Sequence, residues 1–557
     1  MKSFKNISNL CLLVLVIFIA NSCTKDFKDE NTDPKLITEE KVTPELLLTT
    51  AEVNAKGGLG FSNAGDFCGM TTSDANLPFD DRFDDGAWNA VYTTIGNNLA
   101  AIIRKTESDP EMINKKSIAR ILKAWIFSEA TDIYGDIPYF ESNKSPENSI
   151  ATPKYDSQKS IYEDIFKELK EAAAALIAGK PSYGNSDLIY GGDPAKWKKF
   201  ANSLRLRLAL RVRYVDAVMA KNNMTDLVES DLILSTDDEA LFFTSNDNTS
   251  HWNGAYYNLV NYASGPETKD LIAKTVLDIL SGGNSRNPID PRIRIYADTA
   301  YASWPPTLNP PLPYFGYRGK PLLGGAVPVE EKYPYGAEST SRISDFWYVP
   351  AIEQPILRSS EVYFALAEAV LFGLRTGDAN VYFKKGIMAG VSETQHLFNR
   401  TKDQVALVEK KIRPNWGSAN INALLAHKEM KQSEIDIFLA SPTTTLAGST
   451  EEMHEQIMNQ KIVALYPNST EGWSEWRRTG YPRVLVTTND YSGLKGVSYR
   501  RGHYPSVEGL INSSNYNEAI QRMGPKDDVL SKVWWDANPN APHKHPGAVE
   551  WRATKWL

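Results

Sequence analysis

Residues 162–177 read YEDIFKELKEAAAALI. Tyr162, Ile165, Phe166, Leu169, Ala172, Ala173 and Leu176 recur there at spacings of three and four, which sets them on one face of an α-helix and predicts that this face is buried. Ile118, Ile121, Leu122 and Trp125 make a second stripe of this kind. Trp197, Phe200, Ala201, Leu204, Leu208, Val212 and Val215 make a third, with Arg205, Arg207, Arg211 and Arg213 off the stripe. A fourth helix is expected over 356–373 (ILRSSEVYFALAEAVLFG), with Ile356, Ser360, Tyr363, Ala367 and Val370 in one row beside Leu357, Phe364 and Leu371. Small residues alternating with large ones suit close helix pairing. Gly373 and Gly377 follow, and then a further helical run from Asp378 to about Val391. Strand-like alternation is scarce, so the expected fold class is all-α, built from helix pairs.

Between the helices lie long stretches, roughly 60–90, 230–350 and 480–515. Loops of this length in a compact chain are usually functional. Gly and Pro are densest at 304–325 (WPPTLNPPLPYFGYRGKPLLGG), where successive prolines remove amide donors and forbid a helix. The helix pairs resemble tetratricopeptide units, without a strict 34-residue period. With 42% hydrophobic and 23% charged residues, the 557-residue chain can bury a large core. A net charge of -7 argues against nucleic acid as a partner.

The N-terminus reads as an export signal. Lys2 and Lys5 precede an apolar run from Leu10 to Ala20, which ends at Asn21, Ser22 and Cys23. That run is too short to span a bilayer, which needs about 20 apolar residues. A small residue before Cys23 matches the cleavage site of bacterial lipoprotein precursors, although Ala20 stands where Leu is usual, so Cys23 is the expected lipid anchor. The expected organisation is a signal peptide at 1–22, an anchored polar tether at 23–44 and a ligand-binding domain at 45–557. In the tether, Asp26, Asp29 and Glu30 resemble the surface-export signal of Bacteroidetes lipoproteins. Cys11, Cys23 and Cys68 are the three cysteines, so no disulfide framework is expected, and Cys68 reads as a buried filler.

No zinc spacing joins the seven histidines, and no GxSxG elbow, phosphate-cradling Gly loop or HExxH occurs. No cofactor and no metal are expected. Asp80, Asp81, Asp84 and Asp85 do not have the spacing of an EF-hand loop. In TDIYGDIPY, Gly135 permits a turn and Pro138 fixes the chain leaving it. Asp132 and Asp136 read there as acceptors of backbone donors rather than as a catalytic pair. In 471–483 (EGWSEWRRTGYPR), arginines stacked on aromatics and bonded to backbone oxygens would lock a corner.

Several segments, in order along almost the whole mature chain, are similar to signature regions of the SusD/RagB family. They are NTDPKLITEEKVTPELLLTTAE (31–52), ILKAWIFSEATDIYGDIPYFES (121–142), FANSLRLRLALRV (200–212), ILRSSEVYFALAEAVLFG, EGWSEWRRTGYPR, YRRGHYP (499–505) and SKVWWD (531–536). The resemblance implies a tetratricopeptide-like scaffold with a loop-rich binding region. It also implies a non-catalytic, surface-exposed outer-membrane lipoprotein that sits as a lid on a SusC-like TonB-dependent transporter. The cargo it implies is an oligosaccharide, or in some members a peptide.

Glycan capture needs flat apolar surfaces for sugar C–H faces, flanked by groups that bond hydroxyls. Residues 76–92 (NLPFDDRFDDGAWNAVY) offer Asp81 and Arg82 beside Phe79 and Phe83. Trp88 and Tyr92 are also there, but their spacing of four favours a core role. A second region holds Trp252, Tyr256, Tyr257 and Tyr262 with His251, then Trp304, Tyr314, Phe315 and Tyr317 in the Pro-rich loop. The candidate ligand residues are therefore Asp81, Arg82, Trp88, Trp252, Tyr256, Tyr257, Trp304, Tyr314 and Tyr317. A surface-anchored glycoside hydrolase is the competing class, because the geometry of a carboxylate pair is spatial and leaves no motif.

Overall fold

The structure is a computed structural model that describes residues 42–58, 64–72, 85–244, 253–261, 269–284, 286–300, 316–321, 339–483, 499–524 and 526–541. It is mainly helical. The helices used below are α1 (Pro44–Gly58), α2 (Gly96–Thr106), α3 (Ile113–Tyr134), α4 (Gln158–Ala175), α5 (Pro194–Arg211), α6 (Gly254–Asn261), α7 (Lys274–Ser281), α8 (Ser359–Leu371), α9 (Ala379–Ile412), α10 (Ser418–Lys428), α11 (Gln432–Leu439), α12 (Thr450–Leu465), α13 (Ser469–Thr479) and α14 (Ser513–Met523). Strands are short among the described residues. β1 (Thr71–Thr72) pairs antiparallel with β3 (Leu271–Ile272), and β2 (Ala240–Phe243) with β4 (Glu353–Leu357). No helix among the described residues is long and apolar enough to cross a membrane.

The helix starts follow from side-chain caps. Ser157 accepts from Ser160 N at the head of α4, and Asp193 accepts from Ala195 N and Lys196 N ahead of Pro194 in α5. Asp378 does the same for α9, and Ser449 forms a capping box with Glu452 on α12. Each such cap contributes roughly 1 kcal/mol by satisfying amides that have no partner within the helix. The expected stripe of α4 is buried from Tyr162 to Ala173, and Leu176 lies half-buried just past the helix end. Sequential helices pack as neighbours, α2 on α3, α3 on α4, α4 on α5 and α8 on α9, while α8 also meets α5 and α12.

Two features differ from the sequence reading, and a third goes beyond it. Ile356 and Leu357 belong to β4, so the fourth helix starts at Ser359. Helix α9 does not stop near Val391 but runs 34 residues, because Leu397, Phe398, Thr401, Val405, Val408 and Ile412 continue the three-four spacing and are buried. Third, the spacing left the surroundings of Arg205, Arg207 and Arg211 open, and these residues off the apolar stripe are buried.

Those arginines enter a charge network at the centre of the helix stack. Arg207 grips Glu361 of α8 with two bonds of 2.7 Å. Arg211 reaches Asp132 of α3 and Glu471 of α13. Arg478 of α13 holds Glu368 of α8 at 2.5 and 2.8 Å, Arg213 adds a 2.9 Å bond to the same carboxylate, and Lys461 of α12 lies 3.1 Å from Glu475. Burial of this kind requires pairing, since an isolated charge in a protein interior is very costly. The network therefore fixes how α3, α5, α8, α12 and α13 cross.

The TDIYGDIPY turn is held from several sides. Gly135 has φ +85° and lies so close to Met523 that a Cβ would come within 2.6 Å of its sulfur. Asp136 accepts Gln158 N at the head of α4 and Arg522 Nε. Asp132 takes side-chain rather than backbone donors, namely Tyr162 Oη, Trp535 Nε1 and Arg211. In the 471–483 corner, the Arg477 guanidinium lies 3.6 Å from the centre of the Trp473 ring and donates to the carbonyls of Asp132 and Arg500.

Candidate ligand-binding site

A half-open cleft of about 480 Å³ lies where several helices meet the short strands. Helix α1 gives it Glu52 and α3 gives Trp125 and Glu129, while β1 contributes Thr71 and β2 Phe242. Residues 353–356 of β4, Trp347 and Tyr348, the head of α6 and the 466–470 turn complete it. Apolar and aromatic groups dominate, with a few polar ones, as in small-ligand sites.

The aromatic walls are rigid. Trp347 donates Nε1 to Ile295 O at 3.0 Å and meets Tyr466 edge to face at 4.8 Å. Trp125 packs edge to face on Phe200 and donates Nε1 to Glu129 Oε1 at 3.2 Å. Asn253 fixes the head of α6 by donating to Trp347 O and Val349 O, both at 2.9 Å.

Four carboxyls supply the acidic groups of the lining. Tyr348 Oη donates to Asp270 at 2.9 Å and accepts from its backbone amide. Glu353 pairs with Arg400 and lies 3.1 Å from His396. Glu52 accepts Leu188 N at 2.8 Å, and burial, reinforced by the neighbouring charge of Asp187, holds its carboxyl well above the usual range. Burial also pushes Glu129 up to about 7, with the charge of Glu471 adding to it and that of Arg207 opposing it.

The candidate ligand residues fall into three groups. Trp88 and Tyr317 are core residues, at 6% and 5% exposure. Trp88 stands within 4.7–6.0 Å of Tyr92, Tyr134, Tyr155 and Tyr504, and its amide donates to Tyr134 Oη, so it fastens the 85–95 helical run to the TDIYGDIPY turn instead of offering a ring to ligand. Tyr317 Oη lies 3.5 Å from His427 Nε2. Tyr256 and Tyr257 are half-buried on α6, next to Gly254 and Ala255 of the cleft, and Tyr256 Oη accepts from Lys411 Nζ at 3.0 Å. Asp81, Arg82, Trp252, Trp304, Tyr314 and Cys23, the expected anchor, lie outside the described residues.

The sequence reading missed Glu129, Trp347, Asp270 and Glu353 as site residues, and it assigned Trp125 only to a core stripe. Four acids from four distant segments share no local spacing. Among the described residues no group of three His, Cys, Asp or Glu could hold a metal ion.

Comparison with known proteins places the chain. Residues 62–505 match a family model, SusD-like, described as starch-binding and associating with the outer membrane. Among solved structures, one named as a chitin-binding protein is 29% identical with a TM-score of 0.71, over 89% of this chain and 100% of that one. A SusD homolog from Parabacteroides distasonis shares the fold at 21% identity and a TM-score of 0.68, covering 89% and 98% of the two chains. So does a chitin-binding SusD homolog from Flavobacterium johnsoniae, at 24% and 0.63, covering 88% and 96%. No curated protein matches the chain. With the family model spanning most of its length, the chain belongs to the SusD-like family of outer-membrane-associated, non-catalytic binding proteins.

Proposed function

We propose that the protein is a surface lipoprotein, anchored through acylated Cys23, that captures oligo- or polysaccharide and delivers it to a SusC-like TonB-dependent transporter. The observation that carries the glycan reading is the cleft. Its rigid indole and phenol walls and its few carboxyl acceptors meet the two needs of a sugar ring, an apolar platform and groups that bond hydroxyls. Two structural relatives named for chitin binding support the same cargo class. The export signal and Ser22–Cys23 support anchoring, since several acyl chains on one residue hold a protein stably to a bilayer.

The test combines labelling and purification. Palmitate incorporation is expected in the wild type and lost in Cys23→Ser. Detergent extracts of outer membranes are expected to yield the protein together with a large β-barrel transporter. Release of wild-type protein in soluble form, without acyl label, would refute the anchor.

A further inference from the structure

We propose that the cleft selects saccharides that carry a free amine, with the ammonium received by Glu129. The inference rests on the glycan-binding reading above and deepens it to a substrate class.

Charge is the first ground. Every acidic or basic side chain among the described cleft residues is a carboxyl, Glu52, Glu129, Asp270 or Glu353, and no Lys, Arg or His joins them. An acidic sugar therefore meets no cation in this lining, whereas an ammonium meets groups that can ionise to receive it.

Geometry singles out Glu129. Asp270 is bonded to Tyr348 and Glu353 is paired with Arg400. Glu52 accepts Leu188 N on one oxygen and keeps the other buried without a donor, in a carboxyl that burial and the neighbouring Asp187 charge hold well above the usual range and so in its neutral form. Glu129 is only 8% exposed, yet among the described residues its one hydrogen-bond donor is Trp125 Nε1, on Oε1, and nothing donates to Oε2. The charges that face it are Glu471 of α13, Arg207 and Arg211 of α5, and Asp132 on its own helix. Both arginines are already committed, Arg207 to Glu361 and Arg211 to Asp132 and Glu471. Since Oε2 is not among the buried oxygens without a partner, it is open to the cleft, and a carboxyl oxygen that no protein group donates to can receive an N–H group there. An N-acetyl group in place of the ammonium carries no charge. Because burial already raises the Glu129 carboxyl to about 7, the arriving ammonium drives its ionisation, and binding near neutral pH releases a proton.

The experiment is calorimetric titration of the mature chain, carrying Cys23→Ser, with glucosamine, N-acetylglucosamine and glucose oligomers of equal length and with a Lys-containing peptide. Titration at pH 7 in two buffers of different ionisation heat reads the proton. The expected result is glucosamine oligomers bound about ten-fold or more tighter than N-acetylated ones, the increment of one charge-assisted hydrogen bond, with proton release. Glu129→Gln narrows the ratio to within about two-fold on the same estimate. Equal affinity for the aminated and N-acetylated oligomers in the wild type overturns the inference and leaves the glycan reading standing. A preference for the peptide, or an amine preference intact in Glu129→Gln, overturns it too. Failure to bind any saccharide overturns the glycan reading itself.

Discussion

Replacing Glu368 by Gln removes a carboxylate shared by two guanidiniums at the centre of the helix stack. Glu368 is fully buried, and it accepts from Arg478 at 2.5 and 2.8 Å and from Arg213 at 2.9 Å. Burial opposes its ionisation, but the facing guanidiniums of Arg478 and Arg213 outweigh that and hold the carboxyl well below the usual range. The Gln amide leaves two buried cations without this counter-charge and turns N–H groups toward N–H groups. Breaking a buried pair from one side costs about 3–5 kcal/mol, a large share of a typical net stability of about 5–15 kcal/mol. Arg478 keeps Glu475, at 2.5 Å, so the lower half of that range is expected. Urea unfolding at pH 7, followed by far-ultraviolet circular dichroism, reads the change as a fall in midpoint of up to about 1 M, since the urea slope of a chain this long lies at or above the roughly 3 kcal/mol/M at the top of the small-protein range. The double variant Glu368→Leu with Arg478→Met is expected to recover part of the loss, because it removes a charge from each side. A loss below about 1 kcal/mol in the single variant would refute the view that this network fixes the helix crossing.

Asp132→Asn loses the ionic acceptor for Tyr162, Trp535 and Arg211 and is expected to cost about 2–4 kcal/mol in the same assay. Burial, with the charge of Asp345 adding, pushes Glu409 up to about 8, and burial with Glu393 pushes Glu239 up to about 9. Both folded values lie above the ordinary 4.5, so the stability these protons give is complete below pH 4.5 and is lost as pH rises toward 8–9. Glu409→Gln is expected to flatten that decline and to raise stability at pH 8 by at least about 1 kcal/mol, and an unchanged pH profile would contradict it. Burial pushes the Cys68 thiol far up, so in a chain starting at residue 24, where Cys68 is the one cysteine, iodoacetamide is expected to react only after unfolding.

The helices that local spacing describes were legible in the sequence. The stripes from Ile118 to Trp125, Tyr162 to Ala173 and Trp197 to Val212 are buried. Periodicity failed where a short strand runs straight into a helix. Ile356 and Leu357 continue the apolar row of α8, and only their pairing with Ala240 and its neighbours, more than a hundred residues away, makes them β. It was silent on the burial of Arg207 and Arg211, because the spacing of apolar residues does not name a charged residue's partner, and Glu361 lies 154 residues from Arg207. The Trp473–Arg477 corner was legible because both members of the stack sit four apart on one helix. The cleft was not, since Glu52, Trp125, Asp270 and Trp347 converge only through the tertiary fold.

The most direct test of the central claim is a calorimetric screen of the wild-type mature chain against a panel of oligosaccharides and mixed peptides, with the recovered ligands examined for cleavage. Saturable binding of a glycan class, with every glycosidic bond intact, is the predicted result. Binding of peptides alone, or recovery of cleaved sugar, would contradict it.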